Sequence, residues 1–195
     1  MKSSAKRQKR IIASMLTTLF VAQQSMLLSV AASEISGITG NNGTFNINPG
    51  AMIPDSDIGY RKYNNFVLDK GDVANLIYQY GNKDIGTFVN LVDNRINING
   101  IVNSVRNGNF YNGKAVFVSP NGMVVGASGV LNVGSLSITT PNLDTYNYYK
   151  SNPNANLSGL YKNTNNSDVT INGKVITTNN LDITTGSVNI PGKVI

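Results

Sequence analysis

The sequence contains no cysteine, no histidine and no tryptophan. Without cysteine no disulfide framework holds the chain, so stability rests on packing and backbone pairing. Without histidine a serine nucleophile lacks an imidazole base, and no spacing of serine with lysine or acid suggests a substitute. Charge is also scarce: 16 Lys and Arg against 10 Asp and Glu in 195 residues, a formal net charge of +6. That excess does not mark a nucleic-acid binder. Lys2, Lys6, Arg7, Lys9 and Arg10 supply five of the positives, and residues 1–32 hold no acid. The remainder carries 11 basic and 10 acidic residues, scattered, with no patch for phosphates. After residue 33 no long stretch shows the 3.6-residue apolar period of an amphipathic helix.

The basic head leads into Ile11 to Val30, apolar but interrupted by Ser14, Thr17, Thr18, Gln23, Gln24 and Ser25, and then into Val30-Ala31-Ala32-Ser33. A positive start, an apolar middle and small residues at the end describe a secretory signal peptide over residues 1–32, cleaved after Ala31 or Ala32. A membrane anchor is the alternative, but it needs about 20 strongly apolar residues, and the two glutamines and the hydroxyls weaken it.

What is abundant is Asn, Gly and Thr, a composition that favours turns and β-structure. Alternation with period two recurs in short runs: Phe45/Ile47, Ile96/Ile98, Leu136/Ile138, Val169/Ile171, Leu181/Ile183 and Val188/Ile190. The runs also repeat. VTINGKVI from Val169 matches VNIPGKVI from Val188 at an offset of 19, and VLNVGSLSITT from Val130 matches VITTNNLDITT from Val175 at an offset of 45. INGIV at Ile98 echoes INGKV at Ile171. A unit of about 20 residues cannot bury its own apolar face, so it must stack on its neighbours. We therefore expect an all-β chain, a right-handed parallel β-helix with an N-terminal β cap; a sandwich of hairpins is the alternative.

Residues 33–95 read as cap and first strands, with Val73 to Tyr80 a strand or one helical turn. Residues 96–195 read as β-helix rungs, and 33–195 together as one domain. The polar segment 141–168, rich in Asn and Tyr, interrupts the alternation. It reads as an excursion from the coil, a surface hairpin held by Tyr146, Tyr148, Tyr149 and Tyr161, or a mobile loop. The last residues, VNIPGKVI, resemble the start of another rung and suggest a longer protein.

Candidate chemistry is thin. Asp55, Asp57, Asp69, Asp72, Asp84 and Asp93 are the acids to weigh for a polysaccharide-cleaving β-helix enzyme. Asp55-Ser56-Asp57-Ile58-Gly59 lacks the rest of a calcium loop. We expect no catalytic residue, no metal and no cofactor. Asn42, Asn156 and Asn165 begin Asn-x-Ser/Thr triplets, which chance supplies readily in so Asn-rich a chain. Ser119-Pro120-Asn121-Gly122 lies between apolar strands, Ala115 to Val118 and Met123 to Val125. Proline presets φ at the second turn position; Asn121 third suits a type II turn, and Gly122 fourth suits type I. The flanking strands, apolar on both faces, read as buried on both sides, with the outer face under the cap region.

NGKAVFVSPNGMVVGASGVLNVGSLSITTPN, with YNNFVLDKGDVANLI and DNRI (Asp93 to Ile96) before it, resembles the N-terminal two-partner-secretion domain of filamentous haemagglutinin-like exoproteins. That family carries an apolar strand, an Asn-Pro-Asn-Gly-Ile turn, then Asn-Val-Gly-Gly-Leu and a Thr-rich strand. Here Ser119 stands for the first Asn and Met123 for the Ile, and no second Asn-Pro-Asn-Leu motif is present. The resemblance implies a right-handed β-helix with cap and extra-coil sheet, and a secretion motif at Ser119, Pro120, Asn121, Gly122, Asn94 and Arg95. It implies export by the general secretion machinery and recognition in the periplasm by an outer-membrane β-barrel transporter with periplasmic recognition domains. The exoprotein would end at the cell surface or outside it, with host-cell ligands engaged by downstream regions. A self-contained adhesin subunit, using the excursion as its binding surface, is a further alternative.

Overall fold

The computed structural model describes residues 32–195, of which Ser33–Ile195 form one compact unit. The basic head, the apolar segment and Ala31 fall outside the described residues, and Ala32 is exposed at their border. The unit is all-β in its framework, with three main sheets built almost wholly of parallel strands. The first runs across Glu34–Ile35, Phe66–Leu68, Ile96–Ile98, Met123–Val125, Asp168–Ile171 and Ser187–Asn189. The second includes Thr44–Ile47, Val73–Ile77, Ile101–Arg106, Val130–Val133, Lys174–Thr177 and Lys193–Val194. The third includes Ala51–Met52, Ile58–Tyr63, Thr87–Val92, Lys114–Val118, Ser135–Thr139 and Leu181–Thr184. The chain visits the three sheets in turn, and each circuit adds one strand beside the previous one.

Period-two alternation sends every second side chain inward, and parallel pairing stacks like on like about 4.8 Å apart. Ile98, Val125 and Ile171 form one such column, Val102, Leu131 and Val175 another, and Ala115, Leu136 and Leu181 a third. All but the last are fully buried or nearly so. Each fully buried aliphatic side chain contributes about 1.5–3 kcal/mol.

The sequence repeats are parallel strand pairs in register. Val169 lies opposite Val188, and Lys174 opposite Lys193. Leu136, Ile138 and Thr139 lie opposite Leu181, Ile183 and Thr184, as the longer offset implies. That offset fails at Val130, which faces Lys174, while Val175 faces Leu131. Pairing Val130 with Val175 would set an outward residue against an inward one, because a one-residue slip exchanges the faces. The additional residue is absorbed in the loop before Leu181.

The glycine kept in these repeats marks one corner. A Cβ on Gly100 would strike the Asp72 and Asp69 carbonyls, one on Gly129 the Ile98 carbonyl, one on Gly173 the Gly129 carbonyl, and one on Gly192 the Gly173 carbonyl. Successive circuits pass too closely there for any side chain.

Val73–Ile77 is a strand, not a helical turn. Parallel pairing already joins Thr44–Ile47 to Val73–Ile77 and Ile58–Tyr63 to Thr87–Val92, so 33–95 supplies circuits of its own. Its cap elements are two short antiparallel strands, Glu34–Ile35 on Phe66–Leu68 and Ala51–Met52 on Ile58–Tyr63. Arg61 fastens them, donating to the carbonyls of Asn48 at 3.0 Å and Gly37 at 3.1 Å.

The excursion is helical rather than a hairpin. It holds helix α1 (Leu143–Ser151) and a 3-10 turn (Leu157–Tyr161). Asn142 caps α1, its side chain accepting from Thr145 N at 2.9 Å, with Asp144 in the first turn and Lys150 in the last, signs that suit the helix dipole. Tyr146 and Tyr149, three apart, turn onto the third sheet and cover Val89, Leu91, Val116 and Val118 together with Leu160. The outer face of the Val116 strand is thus covered by the excursion, not by the cap region. Tyr161 takes a hydrogen bond from Ser137 at 3.1 Å, whereas Tyr148 stays exposed on the far side.

Candidate functional site

The apolar strands Lys114–Val118 and Met123–Val125 belong to different sheets, so Ser119 to Gly122 must turn the chain between them. Gly122 N donates to Ser119 O at 3.4 Å, and Ser119 Oγ accepts from Asn121 N at 3.1 Å. The positive φ, +84°, falls on Gly122, and Asn121 is not among the residues with positive φ. The type II assignment for Asn121 therefore fails, and glycine is required at the fourth position. A Cβ on Gly122 would also meet the backbone carbonyl of Asp168.

This turn lies in a column of turns. Beneath it is Asp93–Asn94: Ser119 Oγ donates to Asn94 O at 2.9 Å, and Asn121 Nδ2 to Asp93 O at 2.8 Å. Asn94 in turn donates to Asn65 Oδ1 at 2.7 Å, and Asn65 to Glu34 Oε1 at 2.6 Å. Above it, Pro120 O accepts from Asn165 Nδ2 at 2.8 Å and from Ser167 Oγ at 2.6 Å. Arg95 spans the turn, its guanidinium donating to both carboxylate oxygens of Asp168 at 2.9 and 2.7 Å. These bonds, with one from Thr170, hold the Asp168 carboxyl below the usual carboxylate range. The Asp93 carboxylate ties in the excursion, accepting from Tyr146 Oη at 2.8 Å and Lys150 Nζ at 2.7 Å. Burial first, and the Asp93 contact second, push the Tyr146 hydroxyl well above the ordinary tyrosine range.

All six residues of the expected motif thus meet at one corner, Asn94 and Arg95 on one circuit and Ser119 to Gly122 on the next. Chemically the arrangement is a hydrogen-bonded lock. The Ser119 hydroxyl is spent on a backbone carbonyl and a backbone amide. Tyr146, Lys150, Asn165, Ser167 and Asp168 were not singled out as members, and Asp93 was quoted only as the start of DNRI. They come from separate circuits and from the excursion, and no local spacing marks them. The Asn165 amide nitrogen, the atom that would carry a glycan, donates into the lock. Asn156 caps the 3-10 turn, accepting from Ser158 N at 3.0 Å, and Asn42 sits in a turn with φ +47°.

The acids fall into three places. Asp55, Asp57 and Asp84 line one open cleft with Lys83 and Tyr80, and Asp84 pairs with Arg106 at 3.3 Å. Asp69 and Asp72 hold Ser33 at another corner, and Asp93 holds the excursion. Among the described residues no group of three or more acids is placed to bind a metal ion. No protein-family model matches the chain, and no curated protein matches it.

Proposed function

We propose that the stacked circuits are a right-handed parallel β-helix and that 33–195 is a secretion and folding-nucleation domain of a large exported adhesin or toxin. The observation that carries this reading is the packing of Ser119-Pro120-Asn121-Gly122 directly on Asp93-Asn94-Arg95. The two parts of the family-like motif are separated in sequence yet share one hydrogen-bonded corner. In this reading residues 1–32 direct export by the general secretion machinery. An outer-membrane β-barrel transporter then recognises the domain in the periplasm, by strand addition to exposed or partly unfolded backbone. The domain does no chemistry and needs no cofactor. The test is secretion from a Gram-negative host with and without the cognate transporter. Loss of the transporter should trap the domain in the periplasm, and Asn121→Ala should lower secretion while weakening the corner. Unchanged release without any transporter would overturn the reading.

One observation favours a second reading. Asp55, Asp57 and Asp84 share a cleft with Lys83, the mixture a polysaccharide-cleaving β-helix enzyme requires. Cleavage of a uronate polymer that disappears in Asp57→Asn would establish it.

A further inference from the structure

The outer face of the second sheet carries a ladder of asparagines. Asn46, Asn75, Asn103 and Asn132 lie side by side on four successive strands. Each amide donates to the carbonyl oxygen of the one before: Asn75 to Asn46 at 3.0 Å, Asn103 to Asn75 at 3.3 Å, and Asn132 to Asn103 at 3.1 Å. The ladder ends where Ile176 lies opposite Asn132. An amide has two N–H donors and two carbonyl lone pairs, and the ladder uses one of each per interior rung. One donor and one acceptor per rung remain for solvent or a ligand, repeated about every 4.8 Å.

Two apolar strips flank this polar line. Val73, Ile101 and Val130 form one, and Ile101 is 39% exposed; Ile77 and Val105 form the other. Beside Val105 a wall rises. The chain turns back through Asn107 and Gly108, both at positive φ as a two-residue Asn-Gly hairpin requires, and places Phe110 opposite Val105. Phe110 is 49% exposed and lines the groove above the ladder. The hairpin is held rigid: the Arg106 guanidinium stacks 3.5 Å over the Tyr111 ring and pairs with Asp84.

We propose that this groove binds a neutral, extended oligosaccharide. Among the described residues no charged side chain lines the pocket over the ladder and Phe110, where a sulfated, phosphorylated or uronic chain would need one; Lys174 stands beyond Val130, at the end of the other strip. A neutral sugar chain matches what is left. Its hydroxyls donate and accept as free amides do, its C–H faces suit the apolar strips, and an exposed aromatic ring offers a platform for one sugar. The four rungs span about 14 Å, room for a few sugars in a row. This site lies away from the turn column and from the excursion, and it requires neither the secretion reading nor the enzyme reading.

The test is titration of the full 195-residue chain with cellohexaose, chitohexaose and mannohexaose, with a heparin hexasaccharide as the acidic control. At least one neutral hexasaccharide should bind saturably, and heparin should not compete. Phe110→Ala, at an exposed position that leaves the circular dichroism unchanged, should weaken binding about tenfold or more. Asn103→Ser, which interrupts the ladder, should weaken it too. Absence of binding by all three neutral probes at millimolar concentration would overturn the proposal. So would preference for heparin, or binding unchanged in both variants.

Discussion

At the scale of single residues, the corner depends on pairs drawn from distant parts of the chain. Arg95 and Asp168 form a charged pair that bridges the Ser119–Gly122 turn, with side chains 38% and 43% exposed. The Asp168 carboxyl is lowered in the folded state, first by the hydrogen bonds from Arg95. A lowered acid binds fewer protons folded than unfolded. Its stabilisation is therefore present above the ordinary, unfolded carboxylate value and is lost as pH falls through the folded value. Because the pair is exposed, salt screens it and the effect is modest. Between about pH 5 and pH 2 the melting temperature of the wild type should fall further than that of Arg95→Gln. The gap between them should narrow in high salt. Equal acid sensitivity of the two proteins would show that the bidentate pair contributes nothing to the lock.

At the scale of elements, legibility in the sequence followed how local the cause was. Strand runs were readable because alternation is a property of neighbours, and the Val169/Val188 repeat is a parallel strand pair. The glycine recurs in INGIV, INGKV and IPGKV, but its reason, a carbonyl of the preceding circuit, is not visible in the sequence. The excursion was misread because helix α1 buries only Tyr146 and Tyr149, too few to give a helical period. Its stability comes from the apolar strip beneath, which the sequence presents as part of a strand. Arg95 was named from the sequence, but its partner Asp168 was invisible for a similar reason: the two are 73 residues apart. It follows that the excursion is held by packing more than by propensity. Leu160, fully buried against that strip, should cost about 2–5 kcal/mol on truncation to alanine. Chemical denaturation should show the loss, together with dye binding as Val89, Leu91, Val116 and Val118 become accessible. A stable Leu160→Ala protein with no new dye binding would mean that the excursion is not the cover.

At the scale of the whole molecule, each circuit touches chiefly the one before and the one after, so stability is a sum of circuits and of the interfaces between them. The glycine corner is where that sum is most exposed to a single change. Gly173 approaches the Gly129 and Gly126 carbonyls on one side, and Gly192 approaches Gly173 on the other. A methyl group at 173 must push the Lys174–Thr177 strand away from Val130–Val133, and the pairing with Lys193–Val194 shifts with it. Backbone atoms form the obstacle, so no rotamer change can relieve it. Glycine's φ at 173 is not in the left-handed region, so the effect would be steric and not conformational. In a single cooperative core such a change would lower protection everywhere. In a stack of circuits it should act locally. Hydrogen exchange on Gly173→Ala should show lost amide protection across 168–195 and in the adjoining Val130–Val133 strand. Tyr63, Phe66 and Leu68, three circuits away and packed around Tyr63–Phe66 and Phe66–Phe117 ring contacts, should exchange as in the wild type. Uniform loss of protection from residue 33 onward would show that the circuits fold as one unit instead.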